Sequence, residues 1–186
     1  MKYGLIVVDI QKDYFKGGRY ELVDPEKAAQ QANKILTFFR EMGWPVYHVR
    51  HINLRADAAF FLPGTEGAEF YKECCPREDE EIITKHRPNS FLDTNLKEKL
   101  VEKDVDTLVI CGMMTHMCID TTVRAVGNYG YAVTLIEDAC ATRDLEWGGM
   151  AVPAKQVQNA YMAALNGTFA SVVKAEEWIR EQNRLL

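Results

Sequence analysis

Residues 107–120, Thr-Leu-Val-Ile-Cys-Gly-Met-Met-Thr-His-Met-Cys-Ile-Asp, decide the fold. From Thr107 to Cys111 the run is apolar, as in a strand buried on both faces, and Gly112 to Asp120 then turns the chain into a helix. Such a strand-to-helix turn stands at the carboxyl edge of a parallel sheet. It places Cys118 next to free helix amides and a positive dipole end, which favour a thiolate. Cys118 is the candidate nucleophile.

Working outward, Leu5 to Val8 form a second continuous apolar run, ending in Asp9. The segment from Asp24 to Met42 starts with an N-cap residue and Pro25, spaces Ala28, Ala32, Ile35, Leu36 and Phe39 as a helix does, and stops at Gly43. Pro45 to Val49 and Glu81 to Thr84 read as strands two and three. The long irregular stretch between them, with Pro63, Gly64, Gly67 and Pro76, has a length that is usually functional. A helix capped by Asp93 or Thr94 carries Leu96, Leu100 and Val101 and leads into the strand Thr107 to Cys111. The helix after Cys118 ends near Gly130. Tyr131 to Ile136 is a fifth strand, Pro153 to Asn166 a helix, Thr168 to Val173 a sixth strand, and Ala175 to Arg184 a closing helix.

This alternation predicts an α/β protein with a parallel sheet covered on both faces, a three-layer α/β/α doubly wound fold; the order 3-2-1-4-5-6 is assumed for its six strands. The 186 residues read as one domain. In that order the switch point lies between strands one and four, so Asp9 and Cys118 share the crevice where ligands bind.

Composition narrows the partners. A net charge of −5 with scattered basic residues gives no footprint for nucleic acid or an anionic membrane. No apolar stretch approaches the roughly 18 residues of a spanning helix, and residues 2–10 resemble no cleavable leader, so a cytoplasmic protein is expected. Five cysteines, an odd number without repeated C-x-x-C spacing, argue against a disulfide framework or a cysteine-based zinc site. After strand one the loop reads Asp9-Ile-Gln-Lys-Asp-Tyr-Phe, without a glycine-rich phosphate cradle, and no cofactor is expected.

Asp9 at its strand end is the candidate base for the Cys118 thiol. Lys85 closes strand three and would hold Asp9 ionised while stabilising developing negative charge. Strand three lies two places from strand one, about 10 Å away, so lysine length and strand twist must bridge the gap. The amides of Met114 and Cys118 are the candidate oxyanion donors. Phe15, Phe61, Phe91, His116 and Trp147 are candidate substrate-pocket residues, although the phenylalanines could equally seal the core and His116 could face a subunit surface. Leu145 to Val152, with Trp147 and Gly148-Gly149, reads as a lid or a subunit contact. Cys74, Cys75, Cys111 and Cys140 read as packing residues, and His48, His51 and His86 as structural or surface residues.

Five segments together resemble the isochorismatase-like cysteine hydrolases: residues 4–15, 61–67, 84–91, 112–118 and 138–144. Their order and strand-end positions make the resemblance more specific than any one signature. It implies that Asp9, Lys85 and Cys118 form a catalytic triad, that Met113–Met114 is a cis peptide, and that Met114 and Cys118 form the oxyanion hole. The implied reaction is hydrolysis of a C–N bond in a small amide, lactam or carbamoyl substrate through a thioester, in a homodimer or homotetramer. True isochorismatases of the family lack the cysteine that stands here at 118. Nicotinamidases of the family bind a metal through an Asp-x-His pair, whereas this chain reads His48-Val-Arg-His51-Ile-Asn53. The resemblance is therefore to the metal-free branch of N-carbamoylsarcosine and streptothricin hydrolases, with no metal implied. A nicotinamidase with an atypical metal site and a ligand-binding relative without turnover remain the alternatives.

Overall fold

A computed structural model describes residues 1–185. The strands are β1 (Tyr3–Val8), β2 (Val46–His51), β3 (Glu81–Lys85), β4 (Thr107–Met113), β5 (Ala132–Ala141), β6 (Leu145–Trp147), β7 (Met150–Val152) and β8 (Ser171–Val173). Six of them pair in parallel in the order β3-β2-β1-β4-β5-β8. This is the anticipated doubly wound sheet, and the sixth position belongs to the eighth strand of the chain. The two extra strands come from Leu145–Val152, which is an antiparallel hairpin turned at Gly148 and Gly149, both at positive φ.

The helices are α1 (Pro25–Glu41), α2 (Leu96–Glu102), α3 (Asp120–Val126), α4 (Ala154–Leu165) and α5 (Ala175–Leu185). Alternation of side chains along β1 sorts them into two layers. Leu5 and Val7 join the core formed with α1 and α5, whereas Ile6 and Val8 join the core formed with α2, α3 and α4. On α1, Ile35, Leu36 and Phe39 have no exposed surface, which stabilises by roughly 1.5–3 kcal/mol each. All seven residues of β4 are buried, as the uninterrupted apolar run requires of the strand next to β1 at the sheet centre.

Boundaries moved where local bonding overrode pattern. Strand β5 continues to Ala141, five residues past Ile136. Strand β8 starts only at Ser171, because the amides of Phe169 and Ala170 both donate to the Leu165 carbonyl and close the end of α4. Asn95, not Asp93 or Thr94, precedes α2. The stretch between β2 and β3 carries two short 3-10 turns, Glu66–Ala68 and Lys72–Cys74. Among the described residues no helix is long and apolar enough to cross a membrane.

Candidate active site

Asp9 leaves β1 in a left-handed conformation, φ 50°, which a non-glycine residue adopts at a cost. Two backbone bonds hold it there: its amide donates to the Val49 carbonyl at 3.0 Å, and its own carbonyl accepts from the Gln11 amide at 3.0 Å. The carboxylate is fully buried. On the neighbouring strand, Gly112 sits at φ 131°, and a Cβ there would stand 2.0 Å from the Val8 carbonyl oxygen. Only glycine lets β4 pass so close to the residue before Asp9.

Beyond Gly112 the Met113–Met114 peptide bond is cis. Residues Thr115–Ile119 then form one wide π-helical turn, in which the Ile119 amide donates to the Met114 carbonyl at 3.2 Å. Cys118 lies within this turn with 4 % of its surface exposed, and α3 begins after it.

Lys85 reaches across two strands. Its Nζ lies 2.8 Å from Asp9 Oδ2 and 3.1 Å from Cys118 Sγ, with no part of the lysine exposed. It donates also to the Arg87 carbonyl at 3.1 Å and to His51 Nδ1 at 3.1 Å. An ammonium only donates, so His51 Nδ1 accepts and the ring proton sits on Nε2. The contact to Asp9 is a fully buried ion pair.

Electrostatics corrects one expectation. Burial pushes the Cys118 thiol up, the Asp9 charge pushes it further, and Lys85 opposes both without prevailing. The resting sulfur is therefore a thiol, not the thiolate a helix dipole favours; burial and then the adjacent Asp9 carboxylate keep the proton on it. Burial alone would lower Lys85, but Asp9 and Cys118 more than reverse this and keep it charged. Burial, then Lys85, pulls His51 down to about 4, so its imidazole is neutral at pH 7.

His51, a structural or surface residue by its sequence context, contacts the site lysine. The signal was its position: it closes β2 at the same carboxyl edge that singled out Asp9. Gln11 secures it, its Nε2 donating to the His51 and Ala68 carbonyls at 2.9 and 2.8 Å while its Oε1 accepts from the His51 amide at 2.8 Å.

The aromatic candidates separate. Phe61 packs its ring 4.6 Å from Tyr14 and 6.1 Å from His51, beside the cluster. Phe15 stacks on Tyr71 at 3.5 Å, against a cavity of about 580 Å³ also lined by Lys12, Arg19 and Gly67; Asp9, Lys85 and Cys118 do not line it. Phe91 is buried against Tyr129 in the core layer that also holds Cys118. His116 is held by Thr142, Nδ1 to Oγ1 2.6 Å, and does not bond the cluster. Trp147 is 86 % exposed on the β6–β7 hairpin.

Asp9, His51 and Cys118 offer a carboxylate, an imidazole and a sulfur within 4.8 Å of one another, donor types a metal would take. The Lys85 ammonium already contacts all three. A divalent cation would have to displace a buried positive charge, so the donor set does not fit one.

Sheet order and site together define an α/β protein of the isochorismatase-like hydrolase class. The chain belongs to the isochorismatase family: residues 3–177 match the isochorismatase domain. It is 50 % identical over 180 residues, 97 % of this chain and all of the relative, to YddQ of Bacillus subtilis, an uncharacterized isochorismatase family protein. The crystal structure of a hydrolase of this family from Oleispira antarctica superposes with a TM-score of 0.93 at 45 % identity, covering 96 % of both chains. N-carbamoylsarcosine amidase from Thermoplasma acidophilum superposes with a TM-score of 0.80 at 25 % identity, covering 94 % of this chain and 97 % of that one.

Proposed function

We propose that this protein is a cysteine amidohydrolase that cleaves the C–N bond of a small amide, lactam or carbamoyl compound through a Cys118 thioester. The observation that carries this reading is the buried Lys85 ammonium in contact with both Asp9 and Cys118. The likeness to N-carbamoylsarcosine amidase supports the choice of bond.

As substrate enters, the Cys118 thiol gives its proton to Asp9 and the sulfur attacks the carbonyl carbon. Lys85 stabilises the sulfur as it gains charge. The carbonyl oxygen becomes an oxyanion that accepts from the Met114 and Cys118 amides. Collapse breaks the C–N bond, and the leaving nitrogen takes the proton from Asp9. Asp9 then draws a proton from water, whose oxygen attacks the thioester. The acid leaves, and the proton returns to sulfur.

A panel of primary amides, lactams and N-carbamoyl amino acids, assayed for ammonia or amine release, tests the reading. Turnover is expected for at least one compound. The intact protein should transiently gain the mass of the acyl group, and Cys118→Ala should abolish both signals. Turnover that persists in Cys118→Ala would refute it.

A further inference from the structure

We propose that the cavity between residues 12–19 and 65–72 is a second binding site, which takes a small organic dianion with a flat apolar part. Its volume of about 580 Å³ falls in the range of small-molecule sites and exceeds what a bare inorganic anion fills. Asp9, Lys85 and Cys118 do not line it. Charge is its informative feature. In a chain of net charge −5, four cations line this one concavity, Lys12, Lys16, Arg19 and Lys72, against the carboxylates of Asp13 and Glu66.

Both carboxylates are already engaged. Asp13 is buried; its Oδ1 accepts from the Arg19 amide at 3.1 Å and its Oδ2 from the Phe61 amide at 2.7 Å, and any side chain at Gly67 would overlap it. Glu66 pairs with Lys12 at 2.9 Å. Lys16, Arg19 and Lys72 are exposed, and none of the three forms an ion pair among the described residues. Glu26 and Glu73 lie near Tyr71 but do not line the cavity. Three cations without a carboxylate partner attract a dianion more strongly than a monoanion.

The apolar part of the ligand is set by the Phe15–Tyr71 stack, whose rings lie 3.5 Å apart and within 2° of parallel and give one wall a flat carbon surface. Lys72 Nζ stands 6.0 Å from the Tyr71 ring centre, so a cation accompanies that wall. Backbone bonds hold the cavity open without a ligand: the Lys12 amide donates to the Glu69 carbonyl at 2.9 Å, the Tyr71 amide to the Ile10 carbonyl at 2.9 Å, and the Gly18 amide to the Phe15 carbonyl at 2.8 Å. A preformed site spends little of its binding energy on ordering.

Isothermal titration calorimetry of the whole chain with phenyl phosphate and with phenylmalonate, at about pH 7.5 where a phosphate monoester is a dianion, tests this. At least one compound should bind with Kd below about 1 mM. Binding of phenyl phosphate alone identifies a phosphate ester as the ligand, and binding of phenylmalonate alone a dicarboxylate. Inorganic phosphate should bind more weakly than the phenyl compound, and benzyl alcohol not at all. Arg19→Ala and Lys72→Ala change exposed side chains and leave the core intact; each should weaken binding by about fivefold or more, as loss of a charge-assisted bond implies. Absence of binding by both dianions overturns the proposal, as does binding unchanged in both variants, which places it elsewhere. Equal weakening by Lys103→Ala, a surface lysine outside the cavity, also overturns it, because it marks general charge attraction. Inorganic phosphate binding as tightly as the phenyl compound overturns the apolar part of the ligand.

Discussion

Lys85 and His51 are register partners on adjacent parallel strands, and the lysine Nζ meets the histidine Nδ1 at 3.1 Å. The pairing explains how a lysine two strands from Asp9 reaches it. In-register residues leave the sheet on the same face, so Lys85 extends along His51 across the end of β2 and arrives between Asp9 and Cys118. What reads in one dimension as a gap of about 10 Å is bridged by one extended side chain.

Removing the cation exposes the cost of this burial. In Lys85→Met the Asp9 carboxylate keeps its place, 0 % exposed, without a counter-charge. Breaking one side of such a pair costs about 3–5 kcal/mol, whereas replacing both partners is far milder. Urea unfolding of Lys85→Met, Asp9→Asn and the double variant closes a thermodynamic cycle. The double variant is expected to recover most of the stability lost in Lys85→Met while remaining inactive. A double variant as unstable as the sum of the singles would show that the two groups are not coupled.

Stability should rise with pH on account of His51. Its folded state binds a proton only near pH 4, whereas the unfolded residue titrates near 6.5. Between those values the unfolded chain holds a proton that the folded chain refuses, so the slope of stability against pH is positive. The contribution is complete above pH 6.5, is lost as pH falls to about 4, and amounts to at most about 3 kcal/mol. Urea titrations at half-unit steps from pH 4.5 to 7 measure it, and His51→Asn should flatten the curve in that window.

The parts of this molecule legible in the sequence are those with a period or a terminus. Buried runs locate β1 and β4, the Asp24–Pro25 start and Gly43 stop locate α1, and alternation indicates a parallel sheet, whose order it does not fix. Asp9 and Lys85 stood out as charged residues closing or following apolar strands. His51 occupies the same kind of position, but metal-ligand spacing does not mark it. Its contact with Lys85 depends on register, a relation between strands 34 residues apart that no local pattern carries. The state of the Cys118 thiol was misjudged for a similar reason, since it depends on how deeply the turn is buried and how near Asp9 comes. The apolar, glycine-paired segment around Trp147 marks it as unusual in the sequence, but its 86 % exposure on a hairpin follows only from the fold.

Gly112 and Gly130 separate the steric demand of crowding from that of backbone conformation. Both have positive φ, 131° and 79°, but a Cβ at Gly112 meets the Val8 carbonyl at 2.0 Å while one at Gly130 meets nothing within 4 Å. Gly130→Ala should cost about 1 kcal/mol, the conformational penalty alone. Gly112→Ala must also part β4 from β1 beside Asp9, and a loss above about 4 kcal/mol or failure to fold is expected. Similar melting temperatures for the two variants would contradict the close strand approach.

Glu80 holds the far end of the 52–80 stretch, whose middle supplies Phe61 and the Ala68 carbonyl to the surroundings of His51 and Gln11. Its side chain is 7 % exposed and accepts from Arg40 Nε at 2.6 Å, a second Arg40 nitrogen at 2.7 Å, His48 Nε2 at 2.8 Å and the Arg77 amide at 2.8 Å. Burial works against the charged carboxylate, but the bonds from Arg40, His48 and the Arg77 amide overcome it and hold Glu80 well below the usual carboxylate range. Its stabilisation is therefore present above the ordinary glutamate pKa of about 4.3 and fades as pH falls below it. Glu80→Gln removes the charge and turns an NH₂ toward groups that donate, which should cost about 2–4 kcal/mol at pH 7. The penalty should be smaller at pH 3, where the wild type loses part of the same advantage. Urea unfolding of both proteins at the two pH values measures this, and limited proteolysis should cut the variant first within 52–80. An equal penalty at both pH values would mean that Glu80 acts through shape rather than charge.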